Sequence, residues 1–368
     1  MKTYTPKPKG LLRASNNPVE TVRIRLFFAI VLILNCLSIE AQYEPPRISF
    51  LDQLIGEEVQ VIELATSLDS LLINRKKYQY QKAEMSVTFA DGTRQAEELK
   101  VRPRGRFRNM YGEIPPLKIK LSNSSLRRQG YISMNELKLV LPFGSGKRQT
   151  DWLYKEYLVY KLYETLSPYS FRTQLVEVIL KDTGKRKRPI RLQAFLIEDK
   201  EEVANRLALQ PCKQSHLGAD LSPDHYQMVQ LFQFMIGNTD WLPTTSHNLA
   251  LFRNSAGGVI PVPYDFDFAG LVNTNYAWPN DLLPIANVKE RYFMGNYPSL
   301  ESLRPVIQHF QSKKDELLQV IEAFSSLRKV DKQQMREYLL SFFDLIADDT
   351  VAERQFVHLM EGPRGNHY

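Results

Sequence analysis

Three short stretches carry the side chains best suited to chemistry. They are Gly237-Asn238-Thr239-Asp240-Trp241, Ser246-His247-Asn248-Leu249 and Pro263-Tyr264-Asp265-Phe266-Asp267-Phe268-Ala269-Gly270. The apolar patterns around them put Asp240 at the end of a helix, Asn248 at the opening of a β-hairpin and Asp265 at its close. A hairpin joins its own ends, so Asn248 and Asp265 should be neighbours, with Asp240 facing them. Two hard oxygen ligands beside a further carboxylate suit a magnesium–nucleotide site, because magnesium takes few protein ligands and keeps phosphate and water oxygens. Asp240 could then orient or deprotonate an attacking hydroxyl during phosphoryl transfer. The same Asp, Asn and Gly residues beside a hairpin could equally be turn formers and caps. Spacing alone leaves both readings open.

A second set is Arg102-Pro103-Arg104-Gly105-Arg106-Phe107-Arg108. In an extended chain alternate residues share a face, so these arginines would form one stripe. With a glycine permitting close backbone approach, the stripe could hold phosphates through bidentate donors. It could also be an exposed edge strand kept soluble by charge. Other familiar patterns fail. The sequence has no His-Glu-x-x-His and no paired-cysteine zinc spacing, and its six histidines are scattered. Gly144-Ser145-Gly146-Lys147 lies between a strand and a helix. A phosphate loop, however, would need glycine where Leu141 stands and Ser or Thr where Arg148 stands.

The elements that must position these residues follow from hydrophobic periodicity. Short alternating runs predict strands over 58–64, 83–90, 96–102, 117–121 and 136–141, separated by turn signals such as Asp91-Gly92 and Asn123-Ser124-Ser125. The period then changes. Leu153, Tyr157, Tyr160 and Leu158, Leu162, Leu166 recur at helical spacing, predicting an amphipathic helix over 151–166 capped by Thr150 or Asp151. Strands are expected over 173–180 and 190–197, joined by a basic hairpin tip at 184–188. After Glu198 the pattern is mainly helical. It predicts a helix over 226–236 begun by Ser222-Pro223-Asp224, a hairpin over 249–253 and 259–264, and long helices over 300–324 and 331–346. A β-rich half followed by a helical half predicts an α+β, two-lobed molecule with a ligand cleft between its lobes.

Composition sets outer limits. The chain has 368 residues, 43% hydrophobic, 24% charged and 11% aromatic, which excludes disorder, collagen-like repeats and a disulfide-built miniature. Its length suits two domains or one large two-lobed one. The net charge of +7 is concentrated at the amino terminus, where residues 1–41 hold six basic and two acidic side chains. The remainder is too mild to argue for a nucleic-acid partner. Arg23 and Arg25 precede an apolar run from Leu26 to Ile39, with Ala41 just beyond, the pattern of a secretory signal peptide over 1–41. The run is short for a bilayer span, which takes about 20 residues. The expectation is therefore an exported protein (periplasmic, cell-surface or secreted) with no stable membrane span after cleavage. Tethering by an uncleaved amino-terminal segment is the alternative. Loss of Cys36 would leave Cys212 alone, expected to be a small buried side chain with no internal disulfide.

At the residues singled out above, the chain resembles the spore-coat CotH kinase family, a divergent, secreted group with a protein-kinase-like fold. Arg104-Gly105 looks like the family's arginine–glycine element, and Leu117-Lys118-Ile119-Lys120-Leu121 like its lysine-bearing strand. Residues 151–166, Pro168-Tyr169, Arg172 and Val176-Glu177-Val178 resemble the helix and strand pair that follow. Phe195-Leu196-Ile197-Glu198-Asp199 resembles the connector between lobes. Gly237, Asn238 and Asp240 match a "GN.D" loop; Tyr264-Asp265-Phe266-Asp267 and Gly270 match a metal-binding "WDLD…G". The resemblance covers most of residues 95–275, in order. It departs in two places. Asn248 follows Asp240 at a longer interval than is usual, so either the loop 242–246 bulges or Asn248 is not the ligand. Arg104-Gly105 continues with Arg106-Phe107, where the family has Asn and Ser.

The resemblance implies a two-lobed protein-kinase-like fold, with a nucleotide-gripping N-lobe over 42–198 and a C-lobe over 199–368. It implies ATP with Mg2+ or Mn2+, and γ-phosphoryl transfer to Ser or Thr hydroxyls of an exported protein. Asp240 would orient the acceptor, and Asn248 and Asp265, helped by Asp267, would hold metal. Arg104, Gly105 and either Lys118 or Lys120 would grip phosphates, with the lysine paired to Glu156; Glu198 would belong to the nucleotide-binding connector. From a different class comes the expectation of a kinase-shaped protein without catalysis, serving as a binding or surface-assembly module. A basic surface protein binding polyanions through the arginine stripe is a further alternative.

Overall fold

Alternation in the first half of the chain builds strands with one buried face. The computed structural model describes residues 48–56, 60–89, 91–184, 188–212, 221–242, 245–295 and 297–357. The expected signal segment at 1–41 and part of the basic hairpin tip lie outside the described residues. Helix α1 (Phe50–Leu54) starts on a Ser49 capping box and buries Phe50, Leu51 and Leu54. Strand β1 (Gln60–Thr66) then buries every second residue. There follow α2 (Leu68–Ile73), β2 (Gln81–Thr88), β3 (Arg94–Pro103), α3 (Phe107–Tyr111), β4 (Leu117–Lys120), α4 (Asn123–Arg128) and β5 (Glu136–Val140). The long helix α5 (Lys147–Leu166) precedes β6 (Thr173–Asp182) and β7 (Ile190–Ile197).

The sheet closes on itself. β1 pairs antiparallel with β2 on one side and parallel with β6 on the other, Gln60 lying opposite Val176. The strand order β1-β2-β3-β4-β5-β7-β6 is therefore a seven-stranded closed barrel, filled by residues such as Ile62, Met85, Val101, Ile119, Leu137 and Val178. This overturns the expected two-lobed protein-kinase-like fold. The α+β class holds, but the β-rich half is a mixed barrel. The physical reason is that strands apolar on one face bury that face most completely by wrapping around it, and closure removes both unpaired edges.

The second half contains α6 (Lys200–Arg206), β8 (Gln210–Pro211), α7 (Pro223–Ile236), β9 (Leu249–Arg253) and β10 (Val259–Pro263). It ends with α8 (Arg304–Ser312), α9 (Lys314–Ala323), α10 (Lys329–Ala347) and α11 (Asp349–Phe356). These helices share a second core, with Phe232, Phe266, Phe310 and Phe342 fully buried. That core runs up to the outer face of the barrel at Phe195, and α5 lies at the junction, contacting β6, β7 and α9.

Three local expectations change. Helix α5 begins at Lys147 after Gly146, and Asp151 lies inside it, 2.9 Å from Arg328 in an ion pair, so neither Thr150 nor Asp151 is its cap. The helix expected over 300–324 divides into a short turn at Leu300–Ser302, then α8 with Pro305 in its first turn, then α9 after a break at Lys313. Cys212 is half-buried, without a disulfide partner among the described residues. Among the described residues no helix is long and apolar enough to cross a membrane.

Candidate active site

Helix α7 ends at Gly237, which takes a left-handed φ of 65°. A Cβ there would sit 2.0 Å from the Tyr338 hydroxyl, so glycine is required both by conformation and by space. The buried Asn238 next to it donates its backbone N–H to Gln233 O at 2.8 Å and its side-chain amide to Gln233 Oε1 at 2.9 Å. Its Oδ1 accepts the Asp240 N–H at 3.0 Å, which fixes where Asp240 leaves the helix end.

The long Asp240–Asn248 interval is absorbed locally. Leu242 and His247 exchange backbone hydrogen bonds of 3.1 and 2.9 Å, which bring the two ends of the interval together. Asn248 returns to Asp240, donating Nδ2 to its carbonyl at 2.6 Å and to its carboxylate Oδ2 at 3.0 Å. His247 Nε2 lies 3.0 Å from the other carboxylate oxygen, Oδ1.

The hairpin supplies the facing carboxylates. Leu249 pairs with Pro263, and Tyr264 N–H donates to Asn248 O at 3.0 Å. Asp265 comes next, with its N–H on the Tyr160 hydroxyl at 2.9 Å. Phe266 is fully buried against Tyr160 and Phe232, with ring centroids 4.8 and 5.7 Å away. That anchor turns its neighbours Asp265 and Asp267 out of the core. Hydrogen bonds from Gly270 N to Gly237 O and from Leu271 N to Ile236 O, both 2.9 Å, tie this turn to the end of α7. Ser246, Asn248 and Asp265 all have positive φ, of 50°, 53° and 67°. Such backbones cost roughly 1–3 kcal/mol each and gather where a structure over-determines them, commonly at functional sites.

Across from these loops, β3 stops at Pro103 and Gly105 takes a φ of 80° before α3 begins. The extended arginine stripe therefore does not form. Arg104 and Arg106 face the cleft, whereas Arg108 is carried inward on α3. There its Nε donates to Asp267 Oδ2 at 2.8 Å, its Nη2 donates to Glu156 of α5, and the Tyr276 hydroxyl reaches the same Asp267 oxygen at 3.1 Å. Burial opposes the Arg108 charge, but Asp267 and Glu156 outweigh it and hold its pKa well above the ordinary value. Burial pushes the Glu156 carboxyl up to about 8, with Arg108 pulling down and Asp267 and Asp265 pushing further up. Burial and the Asp267 charge raise Asp265 to about 6 against the pull of Arg108 and Arg104. Among the described residues nothing hydrogen-bonds or ion-pairs with the Asp265 carboxylate. The bond to Asp240 raises the His247 pKa.

One open cleft of about 2090 Å³ is lined by Arg104, Gly105, Glu156, Asp240, Asn248, Asp265 and Asp267, uniting seven of the expected site residues. Three others do not line it. Lys118 projects from the outer face of β4, ion-paired to Glu136 and 3.7 Å from Asp199. Lys120 is exposed beside the same glutamate, at 3.9 Å. Glu156 thus pairs with Arg108 in place of a lysine. Glu198 is fully buried and held by the Arg172 backbone N–H at 3.0 Å and by the guanidinium groups of Arg172 and Arg206. Sequence reasoning did not assign Arg108 its bridging position, nor His247 and Tyr276 their contacts. Adjacency to Asn248 was the one available signal for His247; nothing in the spacing marked Tyr276.

The donor set fits a hard divalent cation. Among the described residues, Asp265 offers an unengaged carboxylate beside a second acid, Asp267 is hydrogen-bonded through Oδ2 alone, and Asn248 commits only its amide nitrogen to Asp240. Among the described residues no group of three or more His, Cys, Asp or Glu side chains could hold a metal ion by itself. Magnesium needs fewer protein ligands than that when phosphates and water complete its shell. No family model matches the chain, and no curated protein matches it.

Proposed function

We propose that this cleft binds a nucleoside triphosphate with Mg2+ or Mn2+ and transfers its γ-phosphoryl group to a hydroxyl, most simply that of Ser or Thr on an exported protein. The observation that carries the reading is the convergence of Asp240, Asp265 and Asp267 on one cleft, facing the Arg104–Gly105–Arg106 turn. Asp265, with Asp267 and the Asn248 amide oxygen, would hold the cation, which when bound neutralises phosphate charge. Arg104 and Arg106, whose guanidinium groups have no hydrogen-bond or ion-pair partner among the described residues, would take phosphate oxygens bidentately, the work first expected of Lys118 or Lys120. Pro116, Val140 and Ile197 give the cleft an apolar wall suited to a base. Asp240 would orient the acceptor hydroxyl and take its proton. Catalysis of this kind is positioning and charge complementarity, with no covalent step on the protein. The resemblance to the CotH kinase family supports the same chemistry, and the signal-like segment at 1–41 supports export.

A second reading is a binding module without turnover, favoured by the engagement of both Asp240 carboxylate oxygens with His247 and Asn248. Thermal unfolding with and without MnATP separates the readings from an empty cleft. Saturating nucleotide at a hundred-fold excess over its Kd should stabilise the wild type by about 2.7 kcal/mol and leave Asp265→Ala unmoved. Labelled phosphate appearing on an exported acceptor supports the transferase; stabilisation with no transfer supports the module. No shift in either protein would sink both.

A further inference from the structure

His247 was not among the residues expected at the site, yet its side chain contacts the Asp240 carboxylate directly. Its Nε2 lies 3.0 Å from Asp240 Oδ1, while Asn248 Nδ2 holds Oδ2 at the same distance. A carboxylate has no proton to give, so the imidazole Nε2–H must be the donor. The two donors grip opposite oxygens and stop the carboxylate from turning about its terminal bond, a torsion that is otherwise broad. The His247 backbone is anchored where it exchanges hydrogen bonds with Leu242, so the imidazole starts from a fixed Cα. The His247 and Asp240 side chains remain 40% and 39% exposed and both line the cleft, so an acceptor hydroxyl can approach the carboxylate.

We propose that His247 is a positioning residue, which holds the Asp240 carboxylate in the one orientation that receives an acceptor hydroxyl. The idea rests on the phosphotransferase reading of the cleft. It also gives the long Asp240–Asn248 interval a purpose, since His247 lies within it and supplies a second donor to Asp240. A group of this kind raises turnover without taking part in nucleotide binding, since the nucleotide contacts lie on Asp265, Asp267 and the Arg104–Arg106 turn.

The test compares full-length wild type, His247→Ala and His247→Gln, whose side-chain amide restores a donor near the Nε2 position. Turnover is measured with labelled ATP and the acceptor found for the wild type, and nucleotide binding by the MnATP-dependent rise in melting temperature. His247→Ala should lose about tenfold or more in kcat, with the KM for ATP and the melting shift unchanged, and His247→Gln should recover most of the loss. Equal kcat in wild type and His247→Ala would overturn the positioning role alone, leaving the transferase intact. So would a loss in His247→Ala that His247→Gln fails to restore while the melting shift persists. A wild type with no phosphoryl transfer overturns both ideas together, which distinguishes failure of the site from failure of this residue.

Discussion

Two clusters of buried charge, one around Glu198 and one in the cleft, are satisfied in different ways. At the first, Glu198 is enclosed: the Arg172 backbone and two guanidinium groups fill its acceptor sites, and Arg172 also reaches Asp52 at 2.7 Å. One acid there is surplus. Glu202, 2% exposed, takes a hydrogen bond from Ser49, but its Oε2 is buried without a partner, and burial raises its pKa to about 7. It therefore takes up a proton at higher pH than a solvated glutamate would. In the cleft, acids again outnumber committed donors, but the surplus carboxylate, Asp265, opens onto a space where a cation can enter. A closed network stabilises; an open one of the same composition is poised for a ligand.

That contrast is broken or sharpened by four substitutions, taken from the largest expected effect. Asp240→Asn should lower phosphoryl transfer by about 10³-fold while the fold and the MnATP melting shift persist, the loss of a general base being worth 10²–10⁴. Retained turnover would remove Asp240 from the chemistry. Arg172→Met should do the reverse, destabilising by about 3 kcal/mol because the buried Glu198 keeps only the Arg206 guanidinium of its two, with kcat of the folded fraction unchanged. Denaturant titration combined with activity separates the two outcomes.

Glu202 makes a pH-dependent case. Its folded pKa is raised from 4.5 to about 7, so the folded state binds the extra proton. The stability this supplies is fully present below the unfolded value and lost as pH rises through the folded one, up to about 3 kcal/mol. Glu202→Gln should therefore flatten the stability profile between these limits and exceed the wild type at pH 8; an unchanged slope would mean that the acid is not buried in solution. The smallest effect is expected at Asp265, raised from 3.8 to about 6. Its penalty is likewise absent below its unfolded value and complete above the folded one. Asp265→Asn should thus stabilise the nucleotide-free protein at pH 8, by at most about 3 kcal/mol, while weakening MnATP binding. Equal loss of both would mark Asp265 as a structural residue.

Much of the site was legible because its residues lie close together in the chain. Strands β7 and β9 run as periodicity predicts them, and a hairpin joining Asn248 to Asp265 needs only a turn between two apolar runs. Helix α5 was legible from its repeat, and Glu156 with it. Lys118 and Lys120 were not placed by that logic. Alternation puts both on one face of β4, but which face meets the cleft depends on how the sheet curves. The arginine stripe misled for a related reason: Pro103 and Gly105 break the extended chain, so Arg108 leaves its neighbours and bridges Glu156 and Asp267 instead.

The order of local elements, the turn at Gly237 and the approach of Asn248 to Tyr264-Asp265 at the base of one hairpin were determined by the amino-acid sequence alone, since each depends on local runs and turns. Closure of the barrel, the capture of Glu198 by arginines and the choice of Arg108 as partner to Glu156 were decided only in three dimensions. Each joins segments distant in the chain, as when Gln60 meets Val176. Contacts of that range are selected by which apolar faces can be buried together and which charges must then be neutralised, and no local pattern records that competition.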